Sequence, residues 1–238
     1  MGGGLIPNDY NLGKRYGDMA VLDLPIPVGF WRSVALSHNA FFAESFVDEL
    51  AHATGTDPYQ FRRKLLAAQP RVQAVLDKAA QAAGWSTTPA AGRARGIAIS
   101  EGFGSICAQV AEIERVGNEI HLRRVVCAYD CGKIIDPSTV DAQVEGAIVY
   151  GIGGALAGLE IERGAFKQSN FHDYPALRIN TMPQIELHRI VSDKPHGGIG
   201  EVGVPGIAPA LANAIFAATG QRLRQLPLRP EGMSIPFG

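Results

Sequence analysis

The segment Gly197-Gly198-Ile199-Gly200-Glu201-Val202-Gly203-Val204-Pro205-Gly206 holds one ionisable side chain in a run of glycine and small apolar residues. Glu201 is the lone ionisable group between His196 and Arg222. Glycines on both sides let the backbone pass close to a ligand. A carboxylate so placed is partly desolvated, which suits a general base. The same residues also read as a solvated loop glutamate. Gly198, Gly200 and Gly203 match the G-x-G-x-x-G pattern of a dinucleotide cradle. That reading needs a strand directly before the loop, a helix opening on it, and an acid about 20 residues later. Pro205 and Pro209 interrupt the helix start, and the first acid after Glu201 is Glu231, 30 residues on. Too little chain follows for a second βαβ half, so the nucleotide reading is set aside.

A second constellation is Asp130-Cys131-Gly132-Lys133-Ile134-Ile135-Asp136-Pro137 followed by Gln143-Val144-Glu145-Gly146. Asp136-Pro137 starts a helix, and Gln143 and Glu145 fall in its second and third turns. Gly146, Gly151, Gly153 and Gly154 lie inside the same helical pattern. Each costs roughly 1 kcal/mol of helix propensity relative to alanine, which close packing would explain. Helix–helix packing with an exposed Gln143 is the alternative. The third is Phe30-Trp31-Arg32-Ser33. Arg32 is suited to hold an anionic group with its planar fork, or to stack on Trp31 as a surface arginine.

Other reactive types do not assemble. The six histidines show no metal-ligand spacing. Cys107, Cys127 and Cys131 are an odd count without a repeated spacing, and read as structural thiols. Ser169 to Pro175 is rich in polar groups, with no nucleophile–base pairing legible in it.

Several elements must position these residues. Residues 1–30 read as an irregular lead-in, with Pro25 and Pro27 keeping the chain extended up to Trp31. A helix fits Asn39 to Ala53, with Phe42, Phe46, Leu50 and Ala53 as its apolar stripe. Asp57-Pro58 opens a second helix to about Ala67. A third covers about Arg71 to Ala83, with Val72, Val75, Leu76 and Ala79 on one face. Alternation then predicts strands at 96–101, 104–115 and 119–129, with Gly117-Asn118 turning between the last two. The Asp136-Pro137 helix runs to about Ala157, short strands fit 159–162 and 165–168, and another fits Gln184 to Val191. A helix from Ile207 to Thr219 and a short strand near Arg222 to Leu226 close the chain. A run of helices followed by hairpins and mixed elements argues for an α+β fold with mixed sheets and packed helices. The helical part spans 37–84 and the mixed part 95–228, within one region of 31–238.

With 238 residues the chain is long enough for a substantial core. A formal net charge of −1 favours neither nucleic acid nor an anionic membrane surface. The N-terminus lacks the basic start and apolar core of a secretory signal, and no apolar run approaches the ~20 residues of a membrane span. The expectation is a soluble chain of the bacterial cytoplasm or periplasm, a choice the sequence leaves open.

Taken in order, Pro-Val-Gly-Phe-Trp-Arg-Ser (27–33), Asp-Cys-Gly-Lys-Ile-Ile-Asp-Pro (130–137) with Gln143-Val-Glu-Gly, Ser-Asn-Phe-His-Asp-Tyr-Pro (169–175) and Gly-Gly-Ile-Gly-Glu-Val-Gly-Val-Pro (197–205) resemble the molybdopterin-binding large subunit of the xanthine oxidase/aldehyde oxidoreductase family. The branch they are most similar to is the isoquinoline 1-oxidoreductase beta-subunit group. The resemblance implies a molybdenum-cofactor-binding domain of the aldehyde oxidase/xanthine dehydrogenase type. It implies a molybdenum–pterin cofactor in the cytosine dinucleotide form, with iron–sulfur clusters confined to a partner subunit. Glu201 falls on the base that accepts a proton as water-derived oxygen is added to an aldehyde or N-heteroaromatic substrate. Gln143, Arg32 and Gly200 fall on cofactor-contacting positions, and no residue of this chain falls on a metal ligand. The implied partners are the rest of the large subunit, a 2Fe-2S small subunit, and a cytochrome c or other electron acceptor.

Two departures bear on specificity. Xanthine-type members carry an aromatic residue two positions after the arginine, where this chain has Val34. Proline is common after the glutamate, where this chain has Val202. The upstream sequence that supplies much of the family's cofactor pocket is not in these residues. The expectation is therefore a piece of a large subunit, inactive without the remainder; the alternative is a truncated, non-catalytic or assembly-only domain of the same fold.

Overall fold

In a computed structural model the protein is described at residues 10–14, 16, 18, 20, 22–23 and 28–237. The expectation for Pro25 and Pro27 falls outside the described residues. The elements are α1 (Ala35–Ala53), α2 (Pro58–Leu65), α3 (Pro70–Ala82), β1 (Arg93–Gly102), β2 (Ser105–Val116), β3 (Glu119–Asp130), α4 (Pro137–Leu156), β4 (Ile161–Glu162), β5 (Ala165–Phe166), β6 (Gln184–Arg189) and α5 (Ile207–Thr219).

The centre is a four-stranded sheet in the order β1-β2-β3-β6. β1, β2 and β3 form an antiparallel meander, and β6 joins β3 in parallel. Period-two alternation splits the side chains of the sheet between two cores. Ile97, Ile99, Ile106, Ala108, Val110, Val126 and Ala128 face Val72, Val75, Leu76 and Ala79 of α3. Ala98, Cys107, Ala111, Cys127 and Tyr129 face the opposite core, which α4 and α5 complete. Mixed sheet pairing and helices on both faces bear out the α+β expectation.

Local signals fix several ends. Asp57 accepts from the Gln60 N–H and Pro58 takes the first helical position of α2. Asp136 does the same for α4, accepting from the Ser138 and Thr139 N–H groups. The Ser138 and Thr139 hydroxyls, together with those N–H groups, pull the Asp136 carboxyl down to about 2. Gly96 lets α5 lie directly on β1: a Cβ there would sit 2.2 Å from both the Ala210 oxygen and the Ala214 nitrogen.

Two expectations fail. The strand near 222–226 does not form; Arg222 instead turns inward and its Nη1 bonds Asp48 at 2.6 Å. The apolar stripe of α1 is also reversed. Phe42 and Phe46 are 50% and 59% exposed, while Phe41, Glu44, Val47, Asp48 and Ala51 are buried. The face is chosen by charge pairing. Glu44 accepts from the Tyr10 hydroxyl (2.8 Å), Arg62 Nε (2.8 Å) and the Ile99 N–H (3.1 Å). Burial, followed by the neighbouring Glu44 carboxylate, pushes the Tyr10 hydroxyl well above its usual range.

Candidate active site

The loop bearing Glu201 is fastened from both ends. At its start His196 Nδ1 meets the Lys133 oxygen at 2.7 Å, and the Gly197 and Gly198 N–H groups donate to the Cys131 and Phe103 oxygens at 2.8 and 2.7 Å. A Cβ on Gly197 would lie 2.3 Å from Ser105 Oγ, so this close approach requires glycine. At its far end the loop runs straight into α5, which takes Pro209 into its first turn, so the prolines do not interrupt the helix start as expected; its residues Ile207 to Ile215 are buried.

Between these ends, four consecutive carbonyls each accept from a side chain. The Gly200 oxygen takes Arg32 Nε at 2.7 Å, and Arg32 Nη2 closes on the same atom. The Glu201 oxygen takes Ser33 Oγ at 2.5 Å. The Val202 oxygen takes Ser100 Oγ at 3.3 Å, and the Gly203 oxygen takes Gln109 Nε2 at 2.7 Å. Gln109 is fully buried and its Oε1 has no partner among the described residues. The backbone here is therefore fixed by specific donors as well as by apolar packing.

Glu201 itself is half-buried, and its Oε1 accepts from the Ser33 N–H at 2.9 Å. No cation pairs with it among the described residues. Arg32 lies alongside with its Nε–Nη2 edge spent on Gly200 and 3.5 Å contacts to the Gln143 backbone and Oε1 oxygens. Its guanidinium also sits 5.7 Å from the centroid of the Tyr150 ring. The planar fork read from sequence is thus turned onto the loop, not outward toward an anion. Gln143 is exposed on α4, and its Oε1 comes within 3.6 Å of where a Gly200 Cβ would be. All four residues singled out by sequence, Arg32, Gln143, Gly200 and Glu201, are brought together.

The α4 glycines divide in two. A Cβ on Gly151 would strike Ile207 and the Val204 oxygen, and one on Gly154 would strike the Trp31 ring. Gly146 and Gly153 face nothing within 4 Å, so close packing explains two of the four. Trp31, Tyr150, Gly153, Gly154, Tyr174 and Leu177 line a cleft of about 530 Å³ along this flank. The polar stretch from Ser169 to Pro175 is an exposed turn: Asp173 accepts from the Ser169 and Asn170 N–H groups, which pull its carboxyl down to about 2.

Among the described residues, no group of three or more His, Cys, Asp or Glu side chains could hold a metal ion. The exposed Gln143 amide beside the Gly200 backbone suits an oxygen-rich organic group, with Arg32 fixing that backbone from behind. Sequence reasoning missed Ser33, Ser100 and Gln109. The one available signal was a glutamine inside the apolar run from Ile106 to Ala111.

A family model described as a molybdopterin cofactor-binding domain matches residues 37–183. The chain belongs to that family. Gln143 falls inside the matched span; Arg32 and Glu201 fall outside it. The beta chain of isoquinoline 1-oxidoreductase from Brevundimonas diminuta is 34% identical over 92% of this chain and 30% of its own length. A nicotinate dehydrogenase subunit from Pseudomonas putida is 31% identical over 98% of this chain and 21% of its own length. The aldehyde oxidoreductase of Desulfovibrio desulfuricans shares the fold at a TM-score of 0.66 and 15% identity, covering 85% of this chain and 41% of that one. The chain thus spans under a third of the length of the first two of these relatives. Among its described residues no helix is long and apolar enough to cross a membrane.

Proposed function

We propose that this chain supplies the general base and one wall of the cofactor pocket of a molybdenum hydroxylase acting on an aldehyde or N-heteroaromatic substrate. The observation that carries the reading is Glu201: a half-buried carboxylate, unpaired by any cation among the described residues, tethered through one oxygen, and placed beside Gln143 and Arg32. When bound, the molybdenum–pterin group supplies the two-electron acceptor and the means of activating water. The chain's own residues do the rest. Glu201 accepts a proton through Oε2 while the Ser33 N–H holds Oε1. Arg32 fixes the Gly200 carbonyl and keeps positive charge beside the loop. Gln143 offers its amide to the cofactor from the open flank of α4.

Electrons leaving the pterin need an outlet, so the active assembly includes a 2Fe-2S small subunit and a cytochrome c or other acceptor. The cofactor takes the cytosine dinucleotide form. The rest of the large subunit completes the pocket and covers surfaces such as exposed Phe42 and Phe46, and the chain does not turn over without it.

The test is oxygen labelling with this chain in the assembled enzyme. Hydroxylation of a heteroaromatic or aldehyde substrate in ¹⁸O-water should place water oxygen in the product. A molybdenum-replete assembly that never hydroxylates would favour an assembly-only domain.

A further inference from the structure

The turn joining Arg32 to α1 is held in a conformation its residues disfavour. Ser33 has a φ of 75°, and Val34 a φ of 46° with a ψ of −129°. Positive φ is uncommon outside glycine, and a β-branched residue tolerates it least. Such strain persists only where the surroundings over-determine it, and it gathers where geometry serves function. Here the Val34 N–H closes on the Trp31 oxygen at 2.8 Å, and the Leu36 N–H on the Ser33 oxygen at 3.0 Å. The Trp31 ring sits against Gly154 and stacks near Tyr150 at 4.8 Å between centroids. Packing does not demand the branched residue, since Val34 is 40% exposed.

The angle φ sets how the N–H and Oγ bonds of a serine are disposed relative to one another. At Ser33 both point to one residue: the N–H reaches Glu201 Oε1 at 2.9 Å and Oγ reaches the Glu201 carbonyl at 2.5 Å. Ser33 is wholly buried, so neither donor has solvent as an alternative. We infer that Ser33 is the positioning residue for Glu201, and that the strained Ser33–Val34 turn is the device that aims it. The inference rests on the reading of Glu201 as base. One contact fixes where the carboxylate is anchored on the backbone; the other fixes which oxygen is held, leaving Oε2 to exchange the proton.

Val34→Gly and Ser33→Ala in the assembled enzyme test this. Glycine suits positive φ and removes little buried surface, so Val34→Gly relaxes the turn without emptying the core. Both variants should lower kcat by roughly 10–100-fold, the cost of a small misplacement of a reacting group. KM and molybdenum content should hold; the melting temperature should fall modestly in Ser33→Ala, which leaves the Glu201 carbonyl without its donor, and be unchanged or raised in Val34→Gly. The Ser33 amide should exchange faster with solvent in Val34→Gly, a readout that needs no turnover. Wild-type kcat in both variants would overturn the inference. So would unchanged amide exchange, or a loss of kcat that merely tracks lost molybdenum or lost folded protein. Glu201→Gln separates the two readings: if it is inactive while Ser33→Ala and Val34→Gly are not, the positioning role alone fails.

Discussion

Ser33 and Glu201 lie 168 positions apart and meet twice, once at the Glu201 backbone and once at its carboxylate. The approach is built around β1, where α1 and α5 meet. α1 follows Ser33 and is locked to α2 and β1 through Glu44; the Glu201 loop runs into α5, which rests on Gly96 of β1. The geometry at Glu201 therefore depends on distant buried groups.

Arg62→Leu should destabilise the fold by about 3–5 kcal/mol, because it leaves the Glu44 carboxylate buried without its cation. Equilibrium urea unfolding measures this. A variant as stable as the wild type would show that the Glu44–Arg62 bond at 2.8 Å contributes nothing net.

Gly96→Ala should cost about 1–3 kcal/mol or more by overpacking against the α5 backbone. Gly146→Ala, with nothing within 4 Å, should instead gain up to about 1 kcal/mol of helix propensity. Paired unfolding curves decide it, and equal shifts of the same sign would contradict the contrast. A loss of molybdenum in Gly146→Ala would place cofactor against that open face.

Asp130 should give the protein acid-sensitive stability. Burial alone would raise its carboxyl, but Arg71, the Gly132 N–H and Ser192 Oγ outweigh burial and hold it below the usual carboxylate range. A depressed carboxylate contributes fully above its unfolded pKa, about 3.9, and the contribution disappears as the pH falls through the folded value. Asp130→Asn should thus be less stable than the wild type at neutral pH, with the gap closing below about pH 4. Melting curves from pH 7 to 3 would contradict this if the gap stayed constant.

Much of this architecture is legible in sequence, for identifiable reasons. The α3 stripe, the three-strand meander and the Asp136-Pro137 helix start follow from periodicity and capping. The buried face of α1 does not: Phe42 and Phe46 carry the apolar signal, yet Glu44 and Asp48 have partners on α2 and after α5 that no local pattern reveals. The site divides likewise. Arg32, Gln143, Gly200 and Glu201 are marked by motif, whereas Ser33 reaches Glu201 through two positive φ angles that leave no trace in residue type.

Gln143→Ala should lower the molybdenum content of the assembled enzyme with little change in fold, since Gln143 is exposed and its Oε1 meets only Arg32, at 3.5 Å, among the described residues. Metal analysis on purified protein checks it. Full occupancy would remove Gln143 from the cofactor wall.

The role of Glu201 is tested most directly by kcat of Glu201→Gln at matched molybdenum occupancy. Glutamine keeps an oxygen for the Ser33 N–H at nearly the same volume but takes up no proton. Molybdenum content should be unchanged and kcat lower by roughly 10²–10⁴-fold or more, the usual worth of a general base. Turnover at the wild-type rate would contradict that role.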